Sequence, residues 1–349
     1  VNLSKLGYNE FFKNQVNEKE SVGRITKAYQ QHYTIATVDG IKTGGIIGKL
    51  SFENNFPKVG DFVVYTQSDD GSYNSIKKIL DRKSVFSRKE VGEHQSFEQI
   101  LATNIDYTFI VMALNNDFNL RRVERYLIAA WESGAEPVVI LTKTDVCDDL
   151  ENKLEMIDEV TMGVSVVAVS AITGDGMESL DVYNQEGKTI ALVGSSGVGK
   201  STLINTLAKE EVMTTKGIRE DDSMGRHTTT HREMIIIDGG ACLIDTPGMR
   251  EFSVFNGELG IDLEFKDIEE YASQCKFANC EHRKEPGCMI NEKLRNGELD
   301  KKRYNNYLLL KKEISHQERK RKKQEKIASK KIEKLQRKQR PRQKSWCTE

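Results

Sequence analysis

Residues Gly194-Ser195-Ser196-Gly197-Val198-Gly199-Lys200-Ser201 stand between an apolar β-type run, 189–193, and a helical run that starts at Thr202. A strand, a glycine-rich turn and a helix in that order bring converging backbone N–H groups and a helix N-terminus to one point, the arrangement that holds phosphate oxygens. In it Lys200 is expected to reach the β and γ phosphates and Ser201 to offer its hydroxyl to magnesium, with Thr202 in the same turn. The plain alternative is a glycine-rich turn with no ligand. It is the flanking strand and helix that argue against that alternative.

The segments around the loop alternate. Runs at 106–114, 137–141 and 164–169 read as buried strands, and 121–133 reads as a helix ending at Gly134. Alternation of this kind implies a mainly parallel sheet with helices on its faces. A hairpin follows, 234–237 joined to 241–244 through Asp238-Gly239-Gly240. Ahead of all this, between 22 and about 88, five short β-rich runs are broken by turn residues that include Asp39-Gly40 and Asp70-Gly71, which predicts a small closed barrel of OB type. Residues 1–20 are polar and unpatterned, and beyond about 255 the chain turns polar and helical.

Two further groups complete a nucleotide-binding pattern. Asp245-Thr246-Pro247-Gly248 ends an apolar strand, where the Asp245 carboxylate can hold magnesium through water and the Gly248 N–H can meet the γ-phosphate. Gly225-Arg226-His227-Thr228-Thr229-Thr230-His231 lies between the two motifs as a polar loop able to close a threonine hydroxyl onto the metal; alone it is an ordinary β-rich loop. Thr142-Lys143-Thr144-Asp145 follows the strand 138–141. One carboxylate accepts both the ring N–H and the amine of guanine, a pair that adenine lacks, so Asp145 is expected to select guanine with the Lys143 stem over the base, and Ser170-Ala171 can present an N–H to the guanine carbonyl; alone, Lys-x-Asp is a common surface turn.

Six cysteines are too few for a disulfide scaffold in a chain of 349 residues. Three of them crowd with a histidine into Cys275-x4-Cys280-x-His282-x5-Cys288, a donor set that suits tetrahedral zinc, with buried thiols as the other reading. Cys147, Cys242 and Cys347 are scattered and read as inert. The net charge of -1 conceals an asymmetry: 301–349 holds 19 Lys or Arg against 5 Glu, which makes that stretch +14 and the rest -15. A basic tail fits either an anionic partner or a solvated end. No aromatic residue occurs between 319 and 344, so contact there is expected with phosphates rather than by base stacking. The loops at Gly71-Ser72 and Thr43-Gly44-Gly45 of the barrel are better placed for shape-based RNA contact. With no apolar run of membrane length and no secretion signal at Val1–Lys5, a soluble cytoplasmic protein is expected.

The usual GTPase order is phosphate loop, switch threonine, Asp-x-x-Gly, guanine Asp, then Ser-Ala. Here the guanine elements at 142–145 and 170–171 come first, a circular permutation. With a barrel in front, a cysteine cluster behind, and Asn116-Asp117-Phe118-Asn119 and Arg125-Tyr126-Leu127 ahead of the guanine motif, the chain resembles the ribosome small-subunit-dependent GTPase A family from about residue 20 to about 312. The resemblance implies a magnesium-dependent, subunit-stimulated GTP hydrolase that acts late in small-subunit maturation and contacts rRNA, as a monomer without a membrane role. It implies one zinc on Cys275, Cys280, His282 and Cys288, a terminal helix near 297–313, and His227 as a catalytic side chain beside Thr229, the metal threonine; a packing role for His227 is the alternative. Two residues depart from the common pattern: Thr142 stands where Asn is usual, and Met249 stands where Ras-like enzymes keep a water-orienting Gln. The expected division is an N-terminal extension 1–20, an OB-like RNA-binding barrel 21–88, an α/β circularly permuted P-loop GTPase domain 89–255, a mainly α zinc-binding domain 256–312 and a basic tail 313–349. A permuted GTPase of large-subunit assembly and a non-enzymatic RNA-binding assembly protein are the competing readings.

Overall fold

The computed structural model describes residues 2–29, 32–46, 49–52, 55–67, 73–91, 96–161, 163–211, 232–245 and 258–316, with 319, 322 and 326. Two compact units result, Val1–Ser273 and Gln274–Glu349. Among the described residues no helix is long and apolar enough to cross a membrane.

The first unit begins with two short helical turns, Leu3–Leu6 and α1 (Glu10–Lys13). Strands β1 (Ser21–Tyr29), β2 (His32–Thr37), β3 (Gly40–Ile46), β4 (Phe62–Gln67) and β5 (Asn74–Ile79) close in the order β1-β2-β3-β5-β4-β1, with α2 (Lys49–Phe52) between β3 and β4. This is the expected barrel of five strands. Alternate inward residues, Ile25, Tyr33, Ile35, Val63 and Ile76, fill it, and Leu50 of α2 joins them. The Asp39-Gly40 signal sits at the β2–β3 turn, where Thr37 pairs with Gly40. Gly71-Ser72 lies outside the described residues. Thr43-Gly44-Gly45, expected as a loop, is strand instead: it pairs with β2 on one side and with β5 on the other. A side chain at Gly44 would collide with the Asn74 carbonyl, so the glycines serve close strand approach here and not a turn. Residues 1–20 also depart from expectation. Leu3, Leu6 and Phe12 are buried, and the Phe12 ring lies 4.3 Å from that of Phe62, so the extension packs onto the barrel.

Next comes a hairpin absent from the sequence reading, β6 (Val85–Val91) with β7 (Ser96–Thr103). Strands β8 (Tyr107–Ala113), β9 (Glu136–Thr142), β10 (Ser165–Val169), β11 (Thr189–Val193), β12 (Arg232–Ile236) and β13 (Cys242–Asp245) then form a sheet in the order β10-β9-β8-β11-β13-β12. Every pairing in it is parallel except β12 with β13. Helices α3 (Leu120–Ser133), α4 (Leu150–Asp158) and α5 (Lys200–Ala208) supply the crossovers. Ile110 and Met112 of β8 pack on one face with Val123 and Leu127 of α3, while Phe109 and Val111 pack on the other with Leu203 and Leu207 of α5. Covering both faces explains why the strands read as continuous apolar runs.

Barrel and parallel sheet share a strand. The first half of β1 closes the barrel against β4 at Ser21–Arg24; its second half pairs with β12, Lys27 opposite Glu233 and Ala28 opposite Arg232. A bulge between Ile25 and Lys27 lies where the partner changes. Buried Arg24 spans the same junction, donating to the carbonyls of Leu6, Gly60 and Asn104 and, at 2.9 Å, to the hydroxyl of Thr189, with its guanidinium 5.0 Å above the Phe62 ring. Two further helices end this unit, α6 (Glu258–Glu264) and α7 (Lys266–Ser273). Gly260 lets α6 approach the backbone of α3, because a β-carbon there would meet the Ile128 carbonyl.

In the second unit α8 (Met289–Asn296) follows the cysteine segment, and residues 301–316 are helical, in agreement with the terminal helix expected there.

Candidate functional site

The phosphate loop runs from the end of β11 to the start of α5. Gly194, Gly197 and Gly199 all take positive φ, at 150°, 79° and 97°. At Gly194 any side chain would also strike the Val111 carbonyl. The Lys200 ammonium donates to the Gly194 carbonyl at 2.7 Å and the Ser195 carbonyl at 2.5 Å, which centres the charge over the loop. Ser196 and Gly197 form its exposed crest and Val198 its buried anchor, while Ser201 and Thr202 are half-buried in the first turn of α5. Sheet register sets the second magnesium candidate: Ala191 of β11 pairs in parallel with Ile244 of β13, so Asp245 and the loop stand at the same end of adjacent strands. Serine and aspartate are residue types whose oxygens suit a hard divalent cation that would neutralise phosphate charge. His227, Thr229 and Gly248, with Met249, lie outside the described residues.

The guanine motif leaves β9 beside this loop. Buried Thr142 donates its hydroxyl to the Val198 carbonyl at 2.6 Å. A tie from this position to the phosphate loop is therefore made by threonine, where the usual residue is asparagine. Lys143, at φ 65°, donates to the Gly197 carbonyl at 2.8 Å. Asp145 is exposed and accepts a hydrogen bond from the buried Ser170 hydroxyl at 2.6 Å, and that hydroxyl in turn accepts from the N–H groups of Ile172 and Thr173. The Ser170 hydroxyl thus orients one carboxylate oxygen. Ala171 is also joined to α5, its carbonyl accepting from Thr206 at 3.4 Å.

Two contacts to the loop were not visible in the sequence. Arg122 of α3 donates to the Ser195 hydroxyl at 2.6 Å and pairs with Asp117 at 2.7 Å. Tyr126, one turn further along α3, hydrogen-bonds the same serine; burial pushes its phenol up, against the opposing effects of Arg122 and that bond. The only available signal was the peculiar segment 116–127 itself, whose spacing says nothing about a partner some 70 residues away.

In the second unit the donor atoms of Cys275, Cys280, His282 and Cys288 lie within 4.8 Å of one another. His282 Nδ1 is 3.5 Å from the Sγ atoms of both Cys275 and Cys288, which are themselves 4.0 Å apart. A tetrahedron with Zn–S of about 2.3 Å and Zn–N of about 2.0 Å needs edges close to these, so the donor set fits zinc. Left-handed backbone at His282 (φ 58°) and Gly287 (φ 75°) turns the segment back on itself, and Cys288 caps α8 by accepting from the Asn291 N–H. Although burial opposes it, bonds from the N–H groups of Met289 and Ile290 hold the Cys275 thiol low; Cys280 is pushed up to about 11, first by burial. Buried Cys242, pushed up by desolvation, has the environment of an inert thiol.

A phosphate loop at the centre of a parallel sheet, with the guanine motif entering ahead of it in the chain, defines a circularly permuted P-loop GTPase. The model of the RsgA GTPase family matches residues 79–255. An ABC transporter model also matches 177–344, a stretch that contains the phosphate loop and its helix but omits the guanine motif at 142–145. The small ribosomal subunit biogenesis GTPase RsgA 2 of Lactiplantibacillus plantarum is 43% identical, with 91% of this chain and 90% of that one covered. RsgA of Methanosarcina acetivorans is 41% identical over 85% of this chain and 80% of its own. Among solved structures, YjeQ from Thermotoga maritima superposes with a TM-score of 0.63 at 26% identity, covering 84% of this chain and 98% of that one. The chain belongs to the RsgA GTPase family and is a GTP hydrolase.

Proposed function

We propose that this GTPase is a timing switch in late maturation of the small ribosomal subunit, binding the subunit and its rRNA, stimulated by it, and converting GTP and water to GDP and phosphate. The observation that carries the reading is a relative named for small-subunit biogenesis that aligns over 91% of the chain. A match of that length takes in barrel, nucleotide domain and cysteine segment together. In this reading 21–88 and the zinc-bound region 256–312 grip rRNA on behalf of the GTPase domain 89–255, the tail 313–349 adds sequence-blind attraction to phosphates, and the protein acts as a cytoplasmic monomer.

At the site, Gly194–Lys200 and Thr202 hold the phosphates, Lys143, Asp145 and Ala171 the base, and Ser201, Thr229 and Asp245 the magnesium. Magnesium supplies charge neutralisation at the β and γ phosphates. Met249 cannot orient water, so His227, beside Thr229, takes that part when the subunit is bound. Multiple-turnover GTP hydrolysis with and without purified small subunits tests the reading. Strong stimulation by small subunits, absent with large subunits, is expected; an unstimulated rate would remove the ribosome switch. In the stimulated assay His227→Ala should lower turnover while nucleotide affinity stays near its original value. Equal loss of binding would make His227 structural.

A further inference from the structure

The phosphate loop is held on two flanks. On one, Thr142 and Lys143 bond the carbonyls of Val198 and Gly197. On the other, the tie is made by side chains of α3, and neither the family resemblance nor the motif pattern assigns them a task. We propose that Arg122 is a positioning residue of the phosphate loop, fixing Ser195 so that the loop is already shaped for the β and γ phosphates when nucleotide arrives.

Arg122 occupies the third position of α3, where its own N–H is capped by the Asn119 side chain at 3.1 Å. Its guanidinium is held by the Asp117 carboxylate at 2.7 Å and passes one N–H to the Ser195 hydroxyl at 2.6 Å. Arg122 and Asp117 are 32% and 36% exposed, so the pair is only partly screened by water. Three left-handed glycines make the loop costly to order, and a charge-assisted bond to its second residue removes part of that cost before binding. The cation also adds positive potential beside the loop. Both effects act on phosphates and neither acts on the base.

The inference rests on Gly194–Ser201 being the phosphate loop, and the experiment separates the two. Affinities for guanosine, GDP and GTP are measured by competition against a fluorescent guanine nucleotide for the full chain, Arg122→Met, Asp117→Asn, Ser195→Ala, Arg122→Met with Ser195→Ala, and Lys200→Ala. Arg122→Met, which keeps the apolar stem, should weaken GDP and GTP about tenfold and leave guanosine unchanged. Asp117→Asn should act the same way more weakly, without touching the core. The double variant should lose less than the two single losses added together, since both substitutions break the same Arg122–Ser195 bond. Unaltered GDP affinity in Arg122→Met beside a large loss in Lys200→Ala overturns the proposal and spares the loop. Equal losses for guanosine and GDP overturn it too, by making Arg122 a folding residue. A Lys200→Ala variant that binds GDP normally would remove the loop assignment itself, and the proposal with it.

Discussion

Thr142 shows how a single hydroxyl can serve where the common residue is an amide. Its bond to the Val198 carbonyl joins the guanine motif to the phosphate loop, at a position that is 3% exposed. Thr142→Val keeps the shape and strands that carbonyl, so a loss of about 1–3 kcal/mol in stability is expected. Urea denaturation with and without GDP reads it, and nucleotide affinity should fall with it. Asp145 is different in kind: exposed, oriented by Ser170, and with one oxygen uncommitted to it. Asp145→Asn replaces an acceptor pair by one acceptor and one unwanted donor, so GTP binding should weaken while the fold is unchanged. If the original protein binds ATP as well as GTP, Asp145 does not select the base.

At the scale of elements, the cysteine segment is held by its four donor residues and by the Glu285 carboxylate, which accepts from the N–H groups of Glu281, Arg283 and Lys284. Its ligands span a run of turns closed by left-handed His282 and Gly287, and only then does α8 begin. Metal binding and local order are coupled in such segments. One zinc per chain is expected, and Cys280→Ser should lose it and expose 274–296 to protease, while the guanine site keeps its affinity. Elemental analysis of protein purified without chelator, finding no zinc, would refute the assignment. Asp61 is the corresponding fastener of the first unit. Fully buried, it receives both arms of Arg82 at 2.7 Å, the Thr103 hydroxyl and the Lys58 N–H, joining the barrel to the chain that leads into β8. Asp61→Ala leaves Arg82 unpaired in a mostly buried position, and a cost of about 3–5 kcal/mol is expected from chemical denaturation.

At the scale of the whole molecule, barrel and nucleotide domain share strand β1 and buried Arg24, so they are expected to unfold as one body. Arg24→Met removes four hydrogen bonds, of which those to the Asn104 carbonyl and the Thr189 hydroxyl cross between them. A single cooperative transition in the original protein, split or shifted to markedly lower denaturant in Arg24→Met, is the expected result. The basic tail belongs to a different regime. Its charges neutralise phosphates regardless of sequence, so deleting residues after 315 should weaken subunit binding and flatten its salt dependence, while stimulation at saturating subunit survives. An unchanged salt slope after truncation would return the tail to a solvated end.

Much of this architecture was legible in the chain because the deciding physics is short-ranged. A glycine-rich turn between strand and helix, Asp39-Gly40 between two β runs, and Cys-x4-Cys-x-His-x5-Cys carry their chemistry within a few residues. Buried parallel strands announce themselves as unbroken apolar runs, and the reversed order of the motifs is itself a sequence fact. What remained hidden depends on partners far away along the chain. Thr43-Gly44-Gly45 looks like a turn until the Asn74 carbonyl arrives beside it. Polar composition hid the anchoring of 1–20, which is carried by three apolar residues, Leu3, Leu6 and Phe12. Nothing in the sequence marks Arg24, Arg122 and Asp61, because nothing local tells a solvated guanidinium or carboxylate from one that tertiary structure has supplied with acceptors or donors. Only the folded chain could decide that β1 would leave β4 for β12, since backbone hydrogen bonding is the same for any strand and the choice of edge is made by what packs on either side.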